Sequence, residues 1–175
     1  MRSTAERPVL HARYNCRVDY RIRDFSPEDF EKLWKIDQQC FPPGIAYSRT
    51  ELRNYMGGRG AFTLVASMGD GGSNKSENPA LSGFLVAEAH AGRSGHIITI
   101  DVLPTARRSG MGSALMKTAE ERLRAARCTE VLLETAVDNL PALTFYKRHG
   151  YELVKTIPRY YQNSVDAFHM RKILS

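Results

Sequence analysis

The stretch RRSGMGSALM, residues 107–116, constrains the fold of this chain more than any other part of the sequence. Two arginines are followed by Gly110 and Gly112, and a segment with helical periodicity begins directly after them. The first turn of a helix has backbone N–H groups without intrahelical partners, and this end of the helix dipole is positive. Glycine lets the chain turn sharply and lets a ligand approach the backbone closely. The stretch therefore predicts a turn whose amides at 108–113 hold a phosphate or diphosphate.

The two arginines add positive potential to this turn, and two familiar phosphate-binding patterns do not fit it. The P-loop pattern is absent because Ser113, not lysine, follows Gly112. The dinucleotide pattern is absent because Leu115 stands where its third glycine would be. From these residues alone, a plain strand-to-helix turn without a ligand stays open. The candidate ligand-binding residues are Arg107, Arg108, Ser109, Gly110, Met111, Gly112 and Ser113.

Length and composition predict one globular domain. The chain has 175 residues, of which 42% are hydrophobic and 25% are charged, which is enough for a single core. Residues 1–18 are basic and weakly patterned, so we expect a loosely ordered arm there and one domain at 19–175. We expect no membrane association, because no apolar run is long enough to span a bilayer and no signal-peptide core is visible.

The net charge and the cysteine positions indicate which kinds of ligand and which cellular compartment to expect. The net charge is +6, but the basic residues are spread along the chain, which favours a polyphosphate ligand over nucleic acid. Cys16, Cys40 and Cys128 have neither disulfide nor zinc spacing, so we expect reduced thiols and a cytoplasmic protein. The histidines also lack metal-ligand spacing. We expect no metal and no catalytic role for these side chains, which should be solvated or packed: His90, His96, His149 and His169.

Hydrophobic patterning predicts interleaved strands and helices, with hairpins early and late in the chain. This order favours a mixed α/β (α+β) sheet with helices on both faces. Residues 69–81 are rich in Gly, Ser and Asn and predict a long hairpin loop. Strands are predicted at 20–25, 61–68, 82–90, 96–103, 130–135, 151–157 and 165–173, and helices at 26–41, 48–56, 110–127 and 139–149.

Two motifs together resemble the GNAT acyltransferase superfamily. The stretch IDVLPTARRSGMGSALM resembles its acetyl-coenzyme A motif, with Arg107, Gly110 and Gly112 at the diagnostic positions. The later stretch ETAVDNLPALTFYKRHGYE is similar to its second motif, in which an Asn starts a helix and aromatic residues end it. The likeness covers about residues 20–173 and is greatest to the ribosomal-protein alanine N-terminal acetyltransferase branch.

The resemblance implies a sheet of about seven strands that splays between strands 4 and 5, with acetyl-coenzyme A bound as co-substrate. It places backbone groups of Ile100, Asp101 and Val102 beside the thioester. The Val102 N–H would donate to the acetyl carbonyl and stabilise the oxyanion that forms there. Asp101 departs from the commoner small residue. Its side chain is expected to meet substrate or solvent, or to have a plain surface role.

The resemblance also supplies candidate catalytic side chains. Tyr146 stands where the family commonly has an acid for the leaving thiolate; packing in the core is the alternative. Glu134 resembles the base of the alanine N-terminal acetyltransferases, and a structural charge at a strand end is the alternative. Asn139 would hydrogen-bond the coenzyme, act as a helix N-cap, or do both.

On the acceptor side, RYYQNSVDAFHM resembles a hairpin whose tyrosines wall a peptide's first residues, here Tyr160 and Tyr161. An ordinary aromatic hairpin is the alternative. The loop at 40–48, which contains Tyr47, is the expected substrate-side loop between the first two helices. It is longer than the corresponding loop of the N-terminal enzymes and is similar to that of generic bacterial members.

These residues indicate direct acetyl transfer to a primary amine in a ternary complex, because no activated cysteine stands in the motifs. A protein N-terminal α-amine is the preferred acceptor, and a lysine or small-molecule amine is the alternative. A module that binds coenzyme A without turnover is a second alternative, although it would need neither Glu134 nor Tyr146. We expect a monomer or homodimer that binds no nucleic acid.

Overall fold

The structure is a computed structural model that describes residues 20–68, 80–161 and 164–175. The arm expected at 1–18, Cys16 and most of the loop expected at 69–81 lie outside the described residues. None of the helices in these ranges has the length and apolar character that crossing a membrane requires.

A seven-stranded mixed sheet forms the centre of the fold, in the order β1-β2-β3-β4-β5-β7-β6. Neighbouring strands are antiparallel except for β4 and β5, which are parallel. This arrangement confirms the predicted mixed α/β sheet. The strands are β1 (Tyr20–Asp24), β2 (Ala61–Met68), β3 (Leu81–Ala89), β4 (Ser94–Val102), β5 (Glu130–Ala136), β6 (Glu152–Tyr161) and β7 (Val165–Ile173).

Four α-helices pack on the sheet, and local capping explains where they begin. Ser48 and Glu51 form the predicted capping box, in which the Ser48 N–H donates to the Glu51 carboxylate at 2.9 Å. The predicted first helix instead opens with a 3₁₀ turn at Pro27–Asp29. The helices are α1 (Phe30–Cys40), α2 (Arg49–Met56), α3 (Met111–Ala125) and α4 (Leu140–Arg148).

The central strands are buried on both faces, which is why β2 and β3 read as nearly continuous apolar runs. One face carries Leu64 and Leu85 and packs against α3 and α4. The other face carries Val65 and Phe84 and packs against α1 and α2. The sheet therefore separates two layers of helices, as predicted.

The sheet opens between β4 and β5. Their parallel pairing runs only from Ser94 opposite Glu130 to Ile97 opposite Leu133. Beyond that point β4 continues against β3 up to Val102, while β5 continues against β7. A bulge in the β3–β4 ladder lies directly at the end of the shared pairing. The predicted splay is therefore present, and we call the space between the two strands the gap.

Candidate active site

The edge of β4 presents main-chain groups to the gap. The Leu103 N–H donates to the Ser82 carbonyl at the start of β3 at 2.8 Å. Because main-chain groups of successive residues in a strand point to opposite edges, those of Val102 and Ile100 point away from β3 and into the gap. The backbone of Asp101 points to β3. Of the three residues expected here, only Ile100 and Val102 therefore offer main-chain groups to a ligand.

The turn between β4 and α3 is exposed and has unpaired amides. Gly110 has a φ of +92° and Arg108 a φ of +63°, which turns the chain sharply into the helix. The Met111 N–H donates to Ser109 Oγ at 3.3 Å. Among the residues that the structure describes, no acceptor is bonded to the main-chain N–H groups of Arg108, Ser109, Gly110, Gly112 and Ser113.

The predicted ligand-binding residues at this turn share one end of the gap. The Arg107 side chain is exposed, and its Nε donates to the Val102 carbonyl at 3.0 Å. This bond ties the arginine to the strand end that also presents the Val102 N–H. The arginines and the free amides together form a positive, hydrogen-bond-donating surface beside the gap.

Helix α4 closes the other side of this surface. The Asn139 side chain accepts from the Ala142 N–H at 3.2 Å, so its expected role as an N-cap is confirmed. A Cβ on Gly112 would lie 3.5 Å from the Phe145 ring, which shows how closely α3 and α4 approach. The glycine turn is thus held between β4 and α4.

Tyr146 and Tyr151 are neighbours with different hydroxyl environments. Both are buried, and their ring centroids lie 5.9 Å apart. The Tyr151 hydroxyl donates to Glu120 Oε1 at 3.2 Å. The Tyr146 hydroxyl has no hydrogen-bond partner within the described ranges. Burial, followed by the nearby Tyr161 and Asp101, raises the pKa of Tyr146, so its phenol stays protonated.

Glu134 lies between two histidines where β5 leaves β4. Its Oε2 is 2.7 Å from His96 Nε2 on β4, and its Oε1 is 2.6 Å from His169 Nδ1 on β7. Burial acts to raise the pKa of Glu134, but the hydrogen bonds and charges of the two imidazoles outweigh it and lower that pKa. The expectation that these histidines are merely solvated or packed is wrong, since both bind the candidate catalytic carboxylate.

Asp101 is not at the surface. Its side chain is 1% exposed, and its Oδ1 accepts from Thr99 Oγ1 at 3.0 Å. Its Oδ2 and the Oδ1 of buried Asp37 have no partner within the described residues. Burial, and then the charge of Asp37, raises the pKa of Asp101. A surface role and contact with solvent are therefore both excluded for this side chain.

Asp37 makes the stability of the fold depend on pH. Burial raises the pKa of its carboxyl to about 6, well above the usual range of an aspartate. The folded state therefore binds this proton more tightly than the unfolded chain does. This contribution to stability is complete below the unfolded pKa and is lost as pH rises through the folded pKa, by on the order of 3 kcal/mol.

Replacing Asp37 with asparagine should remove much of this pH dependence. Asparagine keeps a carbonyl oxygen for the Tyr47 N–H, which donates to Asp37 Oδ2 at 2.8 Å. Urea unfolding at pH 5 and pH 7.5 measures the difference. The free energy of unfolding of the wild type should fall relative to D37N between these two values. Parallel profiles would contradict the assignment.

The expected acceptor side of the gap is lined by tyrosines. The Tyr47 hydroxyl donates to the Ile98 carbonyl at 3.4 Å, and its ring lies 5.1 Å from that of Tyr55. Tyr160 and Tyr161 sit at the end of β6 with ring centroids 4.9 Å apart. Burial, and then the nearby Tyr55, Tyr161 and Tyr160, raise the pKa of Tyr47. The predicted acceptor-side tyrosines therefore form two aromatic pairs, Tyr47 with Tyr55 and Tyr160 with Tyr161.

Most of the predicted site residues lie around the gap. Other residues that the sequence did not reveal also lie there. His96, His169 and Asp37 were missed because they lie on separate elements, and only the strand register and helix packing bring them to Glu134 and Asp101. Within the described ranges, no cluster of three His, Cys, Asp or Glu side chains has the geometry to hold a metal ion.

The chain matches one protein family along most of its length. The model described as Acetyltransferase (GNAT) family matches residues 30–151. An N-alpha-acetyltransferase of Sulfurisphaera tokodaii is 29% identical over 166 residues, which cover 87% of this chain and 92% of that protein. An uncharacterized N-acetyltransferase of Methanocaldococcus jannaschii is 31% identical over 152 residues, covering 86% of this chain and 90% of that protein.

Two of the solved structures that share this fold are at least 27% identical to the chain. Ard1 from Thermoplasma volcanium superposes with a TM-score of 0.75 at 28% identity, covering 89% of this chain and 98% of that chain. The NatC complex bound to Gag peptide and coenzyme A includes a chain with a TM-score of 0.73 at 27% identity, covering 90% and 99% respectively.

Proposed function

The chain belongs to the GNAT family of acetyltransferases, and from that premise we propose that it acetylates the N-terminal α-amine of proteins, with acetyl-coenzyme A as co-substrate. The observation that carries the proposal is the gap between β4 and β5. It has free amides and arginines at one end and, where the strands part, an ionised Glu134 bound to imidazole. The proposed catalytic domain comprises residues 19–175.

The free amides of the glycine turn would hold the coenzyme's diphosphate. Five N–H groups at the N-terminus of a helix have no partner among the described residues and would form an anion site, to which Arg107 and Arg108 add charge. The pantetheine arm would then run along the open edge of β4, where Ile100 and Val102 present main-chain groups. Asn139 at the start of α4 has its amide nitrogen left to donate, since its oxygen caps the helix.

The Val102 N–H would polarise the thioester carbonyl. It points into the gap and is fixed by the sheet, so it needs no reorganisation when negative charge develops on the oxygen. Attack by the amine forms the carbon–nitrogen bond and leaves an oxyanion at that site. Collapse of the intermediate breaks the carbon–sulfur bond and releases the coenzyme thiolate.

Glu134 and His96 would take up the proton that the amine loses. The two groups are hydrogen-bonded, so one proton is accepted by the pair rather than by either residue alone. The lowered pKa of Glu134 makes this pair a weak base. A weak base suits an α-amine, whose pKa is about 8, better than a lysine, whose pKa is about 10.4.

Tyr146 would stabilise the departing thiolate by donating a hydrogen bond. Its phenol is buried, protonated and without a partner among the described residues, which leaves the O–H available for a ligand. Because its pKa lies above that of a thiol, about 8.5, hydrogen bonding is favoured over complete proton transfer.

Acetyl would pass directly to the amine and not through a cysteine. Of the two described cysteines, Cys40 lies at the strand end, where its Sγ donates to the Val102 carbonyl at 3.4 Å. Burial, and then the charge of Asp101, raises the pKa of this thiol to about 11. A neutral thiol is a poor nucleophile, so the geometry favours attack within a ternary complex.

A panel of acceptors tests the proposed function. Release of the coenzyme thiol should be at least about tenfold faster with lysine-free peptides that have a free N-terminus than with N-terminally blocked peptides that contain lysine. The reason is that the neutral fraction of an α-amine at pH 7.5 exceeds that of lysine more than about a hundredfold.

The same panel of acceptors also tests the alternative functions. Faster reaction with the blocked lysine peptides or with polyamines would replace the N-terminal acceptor by a side-chain or small amine. Binding of acetyl-coenzyme A without thiol release from any acceptor would indicate a module that binds the coenzyme without turnover. The two aromatic pairs that contain Tyr47, Tyr160 and Tyr161, together with relatives named N-alpha-acetyltransferase, support the peptide acceptor.

A further inference from the structure

Both carboxylate oxygens of Glu134 are engaged by imidazoles from opposite sides. His169 lies directly across from Glu134 in the β5–β7 ladder, and its Nδ1 is 2.6 Å from Oε1. His96 is 2.7 Å from Oε2. The Glu134 side chain is 14% exposed and that of His169 17% exposed, so solvent screens the second contact only weakly. Short hydrogen bonds to an ionised carboxylate are the strong kind.

The imidazole of His169 is not required for proton transfer to the Glu134–His96 pair. The Glu134–His96 pair needs only Oε2 of the carboxylate. An ionised carboxylate that has lost its partner on Oε1 would bind a proton more readily, and its side chain would be free to rotate. The contact from β7 therefore restricts both the charge state and the orientation of the proton-accepting pair.

We propose that His169 is a positioning residue for the proton transfer: by donating Nδ1–H to Oε1 it holds Glu134 ionised and turned toward His96. The proposal rests on the proposed function of the same site. The substrate ammonium gives one proton to the Glu134–His96 pair, and its freed lone pair attacks the thioester carbonyl. His169 neither gains nor loses a proton in this step.

Other charged and titratable groups surround the pair, but it is the hydrogen bonds and charges of the two imidazoles that lower the Glu134 pKa. The exposed ring of His90 lies 6.3 Å from that of His96. The groups on the neighbouring elements are Glu88 of β3 and His90 directly after it, Glu130 of β5, Arg171 of β7, Lys155, Tyr160 and Tyr161 of β6, Tyr55 of α2, and Tyr47 just before α2.

The structure provides a matched pair of variants. In H169N, the side-chain amide N–H stands near the position of Nδ1–H, so the hydrogen bond to Oε1 is retained without a titrating ring. In H169L, the volume is largely kept and the donor is removed. The readout is kcat/KM against pH from 5 to 9, with the acceptor that the wild type turns over best.

With H169L, the pair should bind its proton more tightly, so the acidic limb of the profile should move to higher pH by about 0.5–1 unit. At pH values below the acidic limb, this shift lowers kcat/KM by up to about tenfold. The KM for acetyl-coenzyme A should be unchanged. H169N should keep the wild-type limb. Equal shifts of the acidic limb in both variants would overturn the proposal, because the His169 ring itself would then carry the proton. No shift in either variant would also overturn it, because His169 would then have only a packing role.

An NMR titration of the Glu134 carboxyl, labelled with carbon-13, measures the same shift without turnover. Its pKa should rise in H169L and stay near the wild-type value in H169N. A wild type that turns over no acceptor would contradict the proposed function, while this titration still decides the role of His169. An unchanged Glu134 pKa in H169L would overturn the positioning role even if the enzyme is active.

Discussion

Replacing Tyr146 by phenylalanine should lower kcat about 10²-fold, which is the typical cost of removing one donor to a developing negative charge. The change removes only the hydroxyl, and the ring remains packed among α4 and the sheet. Because this hydroxyl has no partner within the described residues, its loss should leave the melting temperature close to that of the wild type. Acetyl-coenzyme A should still raise the melting temperature, since the turn that holds the diphosphate is untouched.

Tyr151 provides the matched control, because it is a buried tyrosine 5.9 Å from Tyr146 whose hydroxyl is already used. Tyr151→Phe removes a hydrogen bond to the Glu120 carboxylate and should cost about 1.5–3 kcal/mol of stability. Its kcat should stay near that of the wild type. Thermal unfolding and thiol release separate the two variants. If Y146F retains full activity, Tyr146 is a core side chain and not a donor to the leaving group.

Replacing Gly110 by valine should weaken acetyl-coenzyme A binding at least about tenfold, or about 1.4 kcal/mol. Gly110 has a φ of +92°, a region that β-branched residues almost never occupy. Among the described residues, a Cβ there meets only Tyr20, 3.9 Å away, so the effect comes from backbone strain and not from a clash. Relief of that strain would turn the neighbouring amides away from their common direction. Calorimetric titration of the variant with acetyl-coenzyme A measures the loss.

Gly92 is the control for this substitution. It lies in the turn between β3 and β4, has ordinary φ, and a Cβ would meet nothing within 4 Å. Gly92→Val should therefore bind acetyl-coenzyme A as tightly as the wild type does. A G110V variant that binds equally well would show that the amides of the glycine turn do not hold the coenzyme.

Much of the fold could be predicted because local signals and long-range packing agree. The capping box at Ser48, the N-cap at Asn139 and the glycine turn at Gly110 each mark a helix start through hydrogen bonds between near neighbours. The closing strand β6 is the exception, since it runs to Tyr161 and not to 157. Its extension depends on pairing with β7, which residues 158–161 do not indicate by themselves.

Some residues of the candidate site could be predicted from local sequence motifs, and others could not. The glycine turn, Asn139 and Tyr146 lie within two short motifs, so residue types and spacing could reveal them. The two imidazoles around Glu134 come from β4 and β7, and the buried carboxyls of Asp37 and Asp101 come from α1 and β4. Their proximity depends on strand register and on helix docking, to which no local pattern corresponds.

The sequence by itself determined the chain's family, the order of its helices and strands, and the turn that offers amides to an anion. Those features depend on residues near one another along the chain. The tertiary structure alone decided the charge states: Glu134 is kept ionised, while burial favours the protonated forms of Asp101 and Tyr146. A pKa depends on burial and on the charges within a few ångströms, and those distances exist only after the sheet and helices have packed.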